Sequence, residues 1–224
     1  MEEKRPFFSV ITPQHNSEAF MRKGLDSVRD QRFTDYELII VCDRCSDNTV
    51  QIAEEYSDIV LEADFGMASL SRNAALDVAT GEWVLFLDDD DWYLGGAFEK
   101  IAEELKMQPD IDILAYGFEW KGRGTALQGA ARIYPAIWNK AWKRSFIGEE
   151  RFPPWIHTDD LGFARKMHKK ARFGFLYEPL YYYNFMRPGS VSDKIKNGEY
   201  DNNMLPEEIR GDADRYEIWL KKNC

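Results

Sequence analysis

Apolar runs alternate with amphipathic segments along the first half of the chain, which predicts strands alternating with helices. Five runs are nearly continuous in apolar and β-favouring residues and are predicted strands: Phe7–Pro13, Tyr36–Cys42, Ile59–Leu61, Trp83–Leu87 and Ile111–Trp120. Strands that are apolar throughout are typical of parallel sheets buried under helices. The pattern therefore predicts an α/β fold with a Rossmann-like, mostly parallel sheet and helices on both faces.

The segments between these strands carry helical signals. Phe20, Met21, Leu25 and Val28 share one helix face, with Asn16 or Ser17 available as a cap. Further helices are predicted from Asp47 or Asn48 through Tyr56, over Ala68–Ala79 and over Gly96–Met107.

Beyond Trp120 the pattern is less regular. The glycine-rich, basic segment Lys121–Ala131 predicts a loop. We expect helices over Ile137–Phe146, Asp160–Lys170 and Pro206–Lys222, the last on the surface, and strands over Phe173–Leu176 and Tyr181–Phe185. At 224 residues, we expect a single domain in which this region forms a smaller subregion.

Composition narrows the classes of function. The net charge of −10 argues against broad binding of nucleic acid through its phosphates. Three cysteines are too few for a disulfide framework, which favours a reducing compartment. We find no pattern typical of a signal peptide and no apolar stretch as long as a membrane span.

The strongest chemical signal is the run Asp88–Asp91, four aspartates that directly follow a predicted buried strand. In open α/β sheets, ligands bind at the carboxyl ends of the strands. Adjacent carboxylates repel each other unless a cation lies among them, and hard oxygen ligands suit Mg²⁺ or Mn²⁺ that arrive with substrate phosphates. We therefore expect a metal and phosphate site here, in preference to an acidic loop in water.

Cys42-x-x-Cys45, also at the end of a predicted strand, allows a redox motif or half of a zinc site. No second cysteine pair or histidine cluster completes a zinc site, and a dithiol would not explain the acidic run. We therefore give the redox interpretation little weight.

Five motifs, in order from about Phe7 to Ser192, resemble those of glycosyltransferase family 2. VITPQHNSE resembles the family's VIIPVYN, with His15 in place of Tyr, and LIIVCDRCSDNT resembles IIVDDGSTDNT, with Cys42 at the first acidic position. SLSRNAAL…ATGEWVLFLDDDDW is close to SxARNxGL…AxGEYIxFLDSDDW. AIWNKAWKRSFI resembles W-N-K-L-Y-K-R, and HTDDLGF stands where the family has E-D-x-x-F. Each motif alone is weak, but their order and spacing are specific.

The resemblance implies a GT-A fold and an inverting, metal-dependent transfer of a sugar from a nucleotide diphosphate donor. Likeness around Asp43 favours a UDP-sugar. The implied acceptor is a saccharide or a lipid-linked molecule, in glycan or cell-surface polysaccharide synthesis. Residues 1–120 would bind the nucleotide sugar, residues 121–192 would bind the acceptor and carry the base, and residues 193–224 would form a C-terminal tail. We expect such an enzyme in the cytoplasm, with at most peripheral contact at the inner face of the membrane.

The resemblance also assigns roles to residues, each with an alternative. Asp43 would read the base or else order its loop, Arg72 would pair with the diphosphate or with a neighbouring acid, and Asp160 would be the catalytic base or cap its helix. Packing is the favoured role of Trp138. The implied sites are Pro13, His15, Asp43, Arg72, Asp88 and Asp89 for the nucleotide sugar, Asp90 and Asp88 for Mn²⁺ or Mg²⁺, Asp160 and Asp159 for catalysis, and Trp138, Trp155 and His157 on the acceptor side.

Two other functions remain open from the sequence. A sugar-nucleotide-binding module without catalytic activity would also account for the motifs, and the departures at Cys42 and Asp159 and the short region after Trp120 keep this alternative open. A Mg²⁺-dependent phosphatase or nucleotidyltransferase could use the same aspartates. A phosphatase, however, needs an aspartate nucleophile directly after the first strand, where this chain has Thr12-Pro13.

Overall fold

The computed structural model describes residues 5–57, 59–130, 133–154 and 159–199. Its strands are β1 (Phe8–Gln14), β2 (Tyr36–Asp43), β3 (Ile59–Ala63), β4 (Trp83–Phe86), β5 (Trp92–Tyr93), β6 (Ile113–Trp120), β7 (Gly124–Ala126), β8 (Lys140–Lys143) and β9 (Phe173–Tyr183). Its helices are α1 (Met21–Arg29), α2 (Thr49–Glu54), α3 (Ala68–Val78), α4 (Ala97–Met107), α5 (Arg144–Ile147), α6 (Asp159–His168) and α7 (Val191–Lys196).

The nine strands of the described ranges form one sheet in the order β3-β2-β1-β4-β8-β6-β9-β5, with β7 beside β6. β1 pairs in parallel with β2 and β4, β2 with β3, and β6 with β9. β8 is antiparallel to both β4 and β6, and β5 and β7 are antiparallel edge pieces. The prediction of a mostly parallel α/β sheet is confirmed.

The first half of the chain follows its hydrophobic pattern closely, because its central strands are buried along their lengths. All seven residues of β1 and all four of β4 are buried, and these two strands lie side by side. The core between the sheet and the helices is rich in aromatic rings. The ring centroid of Phe8 lies within 5.5 Å of the ring centroids of both Phe33 and Phe98. Local pattern and tertiary burial agree here, so the predicted strands appear within a few residues of their expected bounds.

The structure departs from the prediction mainly in the second half. The helix expected over Ile137–Phe146 is wrong: this segment forms β8 and the short α5. The two strands expected after Arg172 are one strand, β9, with an irregular register opposite Gly117. β7 and α7 were not predicted, and neither was β5 in the first half. In β8, Ala141 and Trp142 are fully buried between β4 and β6, so tertiary burial outweighs local preference.

Strands from both halves of the chain share this sheet, because β8 lies between β4 and β6. The helix expected over Pro206–Lys222 lies outside the described residues. Within the described ranges, no helix has the length and apolar character that a membrane crossing requires.

Candidate active site

Polar side chains from three loops meet at one edge of the sheet. β2, β1 and β4 are parallel neighbours, so their carboxyl ends lie together. Asp43 ends β2, His15 follows β1, and the acidic run begins two residues after β4. This edge is the ligand-binding end of an open α/β sheet.

The buried carboxylate of Asp43 accepts four hydrogen bonds from the start of α3 and the turn before it. Oδ1 accepts from the backbone N–H of Phe65 at 2.7 Å and of Gly66 at 3.0 Å. Oδ2 accepts from the N–H of Met67 at 3.1 Å and from the Ser71 hydroxyl at 3.2 Å. A carboxylate offers about four acceptor positions. The geometry thus favours the loop-ordering role, and recognition of a base by Asp43 stays a prediction.

His15 and Pro13 border the same edge. The Nδ1 of His15 lies 2.7 Å from the backbone carbonyl oxygen of Asp43, so Nδ1 carries the proton in this contact. The ring is otherwise exposed, whereas Pro13 is buried in β1 opposite Val41. His15 therefore ties the β1 and β2 loops together and leaves an exposed ring face beside Asp43.

The three outer aspartates of the acidic run are half-buried and pair with two different arginines. Asp88 Oδ1 accepts from Arg72 Nη2 at 2.9 Å. Asp90 Oδ2 accepts from Arg187 Nε at 2.5 Å, and Asp89 lies 3.9 Å from Arg187 Nη2. Burial and then the charge of Asp90 raise the pKa of Asp89 to about 7. Arg187 thus supplies a cation beside the acidic run, and a metal ion there stays a prediction.

Asp91 faces inward and anchors the acidic run to β9. Its carboxylate accepts from the Tyr181 hydroxyl at 2.8 Å and from the Asn184 N–H at 2.7 Å. The Tyr181 oxygen in turn accepts from the Asp88 N–H at 3.2 Å. On the other side, a Cβ on Gly24 would lie 2.7 Å from the Asp91 carbonyl oxygen, so α1 can approach this closely only with glycine there. The backbone of the loop is thereby fixed from two sides.

Arg72 joins the acidic run to the start of α6. The residue is 7% exposed, and its guanidinium donates to Asp88 through Nη2 and to Asp159 Oδ2 through Nη1, the latter at 2.7 Å. Its Nε–H has no hydrogen-bond partner among the described residues. The sequence predicted Arg72 at this site but not that two aspartates would share it.

Asp159 and Asp160 begin α6, where the positive end of the helix favours carboxylates. Asp159 is buried in its ion pair with Arg72. Asp160 is half-buried, and burial together with the charge of Asp159 raises its pKa to about 7. A carboxylate with a pKa near neutrality is a stronger base than an exposed one and is still ionised at slightly alkaline pH.

The segment around Trp138 forms the wall behind the acidic run. Trp138 is 4% exposed and stacks on Tyr181 with ring centroids 4.8 Å apart, which favours the packing role. Lys140 is fully buried and donates to the carbonyl oxygens of Tyr134 and Ala136 and to Asn139 Oδ1, at 2.5 to 2.8 Å. Burial lowers the pKa of Lys140 to about 7, and the charge of Asp160 opposes this shift. Trp155 and His157 lie outside the described residues.

Cys42 and Cys45 do not have the environment of a redox pair. Burial raises the pKa of the Cys42 thiol to about 12 and also raises that of Cys45. Because the thiolate is the reactive species, both thiols are held in an unreactive form.

The described residues contain no group of three or more His, Cys, Asp and Glu side chains that would enclose a metal ion. This donor set does not suit an ion held by protein alone. It suits Mg²⁺ or Mn²⁺ bound through one or two carboxylates and completed by substrate phosphates and water.

Sequence reasoning missed the contacts of Tyr181 and Phe152 at this site. The sequence predicts Tyr181 only as the first residue of a strand, and it assigns no role to Phe152. The ring of Phe152 stacks on Phe163 of α6 at 4.1 Å and meets Phe86 of β4 edge-on at 5.5 Å. Neither contact has a local signal, because the partners lie in different elements.

Comparison with known proteins agrees with this architecture. Residues 9–171 match the family described as "Glycosyl transferase family 2". The putative glycosyltransferase EpsH of Bacillus subtilis is 27% identical over 209 residues, which cover 80% of this chain and 60% of EpsH. The poly(ribitol-phosphate) beta-N-acetylglucosaminyltransferase TarS of Staphylococcus aureus is 30% identical over 207 residues, 81% of this chain and 36% of TarS. The chain thus spans less than two thirds of either relative.

Solved structures show the same fold. A crystal structure of S. aureus TarS 1-349 in complex with UDP superposes with a TM-score of 0.72 at 22% identity, over 96% of this chain and 70% of that one. The mannosyltransferase PcManGT from Pyrobaculum calidifontis, in complex with GDP-Man and Mn²⁺, superposes with a TM-score of 0.68 at 18% identity, over 97% of this chain and 70% of that one. The expected GT-A fold is confirmed. Because the family model matches most of the length of this chain, the chain belongs to glycosyl transferase family 2.

Proposed function

We propose that this chain transfers a sugar, with inversion, from a nucleotide diphosphate donor to a hydroxyl group of a saccharide or lipid-linked acceptor. The observation that carries the proposal is the shared guanidinium of Arg72, which holds Asp88 of the acidic run against Asp159, the neighbour of Asp160. A donor-side carboxylate and a base of raised pKa thereby face one site. Transfer with inversion needs this arrangement, because the base acts opposite the leaving diphosphate.

In the proposed reaction, Asp160 takes the proton of the acceptor hydroxyl while that oxygen forms a bond to the anomeric carbon of the donor. The bond from this carbon to the diphosphate oxygen breaks, and the nucleoside diphosphate leaves with its electron pair. The products are the glycosylated acceptor, the nucleoside diphosphate and one proton. Asp159 stays paired with Arg72 and orients the start of α6.

Asp90 and Asp88 would hold Mn²⁺ or Mg²⁺, which would neutralise charge on the departing diphosphate. Asp90 must first release Arg187, since one carboxylate oxygen accepts from that arginine at 2.5 Å. The unpartnered Nε–H of Arg72 is a buried donor that suits a diphosphate oxygen. The structure of PcManGT in complex with GDP-Man and Mn²⁺ supports a divalent ion in the proposed reaction.

UDP is the favoured nucleotide, because TarS, a structural neighbour, binds UDP. TarS is named for a poly(ribitol-phosphate) acceptor, which supports a polyhydroxylated acceptor for this chain also. We further propose a role in cell-surface polysaccharide synthesis, at the cytoplasmic side of the membrane.

The test uses purified protein with Mn²⁺ and a panel of UDP- and GDP-sugars, with donor hydrolysis and binding of the diphosphate product as readouts. One donor should be slowly hydrolysed. Asp160→Asn should lower turnover by about 10²–10⁴-fold while donor affinity stays nearly unchanged. Asp90→Ala should abolish the metal-dependent part of nucleotide binding. Asp110→Asn, in an exposed turn before β6, is the matched control and should change neither.

Binding without hydrolysis of any donor, together with no effect of Asp160→Asn, would instead establish a binding module. Full metal-dependent nucleotide binding by Asp90→Ala would refute the assigned ligand.

A further inference from the structure

The segment that leads to the proposed base is tied to α3 at three places. Arg151 pairs with Asp77 at 2.6 Å on the surface. The next residue, Phe152, is bound by Asn73, and Asp159 is bound by Arg72. Both ends of the stretch from Phe152 to Asp159 are thus attached to consecutive residues of one helix.

Asn73 binds the backbone of Phe152 through both atoms of its side-chain amide. Its Nδ2 donates to the Phe152 carbonyl oxygen at 2.9 Å, and its Oδ1 accepts from the Phe152 N–H at 2.8 Å. This two-point contact fixes the position and the orientation of the Phe152 backbone, because it engages the peptide units on both sides of that residue. Both polar atoms of the amide are thus engaged with the Phe152 backbone.

The ring of Phe152 carries this constraint to both sides of the proposed site. It stacks on Phe163 of α6, three residues after Asp160, with an interplanar angle of 16°. It meets Phe86, the last residue of β4 before the acidic run, edge-on. The guanidinium carbon of Arg72 lies 5.7 Å from the same ring. One buried side chain therefore contacts the base helix, the strand of the acidic run and the arginine between them.

We propose that Asn73 is a positioning residue for the transfer step: it fixes Phe152, and through Phe152 it sets the distance between Asp160 and the acidic run. This inference rests on the proposed function, because it assigns the step to Asp160. Asn73 touches neither donor nor acceptor in this account. Displacement of a catalytic group by about 1 Å can cost about 10²-fold in rate, so a lost backbone anchor should lower turnover without weakening donor binding.

The test compares Asn73→Ala with the wild-type chain in Mn²⁺, with the donor that the wild type hydrolyses. We expect the kcat of hydrolysis to fall about 10- to 100-fold, while the Kd for UDP changes less than about twofold. Hydrogen exchange of peptides that cover residues 149–164 should become faster, since the N–H of Phe152 loses its acceptor.

Two further variants separate positioning from general damage. Asp77 lies on the same helix as Asn73, and its partner Arg151 directly precedes Phe152. Asp77→Asn removes this exposed ion pair and should leave kcat and hydrogen exchange near the wild-type values. Asn73→Asp keeps an acceptor for the Phe152 N–H but places a carboxylate oxygen against the Phe152 carbonyl oxygen, so its kcat should also fall below that of wild type. It also provides the measurement if Asn73→Ala does not fold.

Unchanged kcat in Asn73→Ala, or in Asn73→Asp where only that variant folds, would overturn the inference. So would a loss of UDP affinity as large as the loss of kcat. A wild-type chain that neither binds UDP nor hydrolyses any donor would overturn the proposed function, and the positioning role with it.

Discussion

At the scale of single residues, the candidate site is built from charges that compensate one another. Arg72 lies between Asp88 and Asp159, and Arg187 lies against Asp90, so each acidic element has an arginine. The ring of Phe20 supports Arg187 from its other side, 4.0 Å from the guanidinium carbon. Removing one charge should therefore change how strongly its partner binds a different cation.

Arg187→Ala should tighten the binding of Mn²⁺ in the absence of nucleotide. Arg187 competes for Asp90, and a partly exposed ion pair contributes up to about 1 kcal/mol, so we expect the Kd to fall up to about fivefold. Calorimetric titration with Mn²⁺ measures this change. Lys169→Ala removes the same charge at an exposed position of the turn after α6 and should have no effect. Unchanged or weaker Mn²⁺ binding in Arg187→Ala would show that the two cations do not share Asp90.

The pH dependence of turnover should report Asp160. A base must be deprotonated, and burial with the charge of Asp159 raises the pKa of Asp160 to about 7. The value of kcat/KM for donor transfer should therefore be level above pH 7 and fall by up to about tenfold per pH unit below it. Initial rates between pH 5.5 and 9 in constant Mn²⁺ measure this. A level profile down to pH 5.5 would exclude a base of raised pKa.

At the scale of elements, β9 supports the acidic loop from behind. Tyr181 is fully buried, and its hydroxyl joins the Asp91 carboxylate to the Asp88 backbone. The next residue, Tyr182, faces the other way and stacks on Trp92 at 3.9 Å. The period of two along a strand thus divides neighbouring tyrosines between a hydrogen-bonded role and a stacking role.

Tyr181→Phe should destabilise the protein and weaken Mn²⁺-dependent nucleotide binding. The substitution leaves the buried Asp91 carboxylate one donor short and frees the Asp88 N–H, at a cost of about 1–3 kcal/mol. Urea unfolding followed by fluorescence measures the stability. Tyr182→Phe removes a hydroxyl from the adjacent residue but keeps its stacked ring, and should cost less than about 0.5 kcal/mol. Equal effects of the two substitutions would contradict the conclusion that the Tyr181 hydroxyl stabilises the acidic loop.

At the scale of the whole molecule, the antiparallel β8 joins the two halves of the sheet, and α6 packs over it. Trp142 of β8 lies against Phe163 and His168 of α6, with ring centroids 5.5 Å and 5.9 Å away. Burial lowers the pKa of His168 to about 3, and its Nε2 has no hydrogen-bond partner among the described residues. The helix of the proposed base therefore docks through a neutral histidine.

Acid should weaken this docking. The unfolded chain takes up the His168 proton near pH 6.5 and the folded chain only near pH 3, so the contribution of His168 to stability is complete above pH 6.5 and is lost as the pH falls below it. The slope from this one group is up to about 1.4 kcal/mol per pH unit. The free energy of unfolding, measured at pH 7.5 and 5.5, should fall less in His168→Phe than in wild type. Equal losses would show that His168 is protonated in the folded protein.

Much of the fold and the position of the site follow from local signals in the sequence. Apolar runs predicted β1, β2, β3, β4 and β6, and the acidic run after a buried strand located the candidate site at the sheet edge. These predictions succeed because strand periodicity and the direction of parallel strands are properties of short segments. The motifs also assigned Arg72, Asp88 and Asp160 to that candidate site, and their roles stay predictions.

The tertiary structure alone decided how those residues are connected. Arg72 and Asp159 are 87 positions apart, and Tyr181 and Asp91 are 90 apart. No local pattern encodes a contact at such a separation. The same holds for β8, whose segment favours a helix locally but forms a strand, since only a strand fills the gap between β4 and β6. Sequence determined which chemical groups are present and the edge where they gather, whereas packing between distant elements decided which carboxylate each arginine holds.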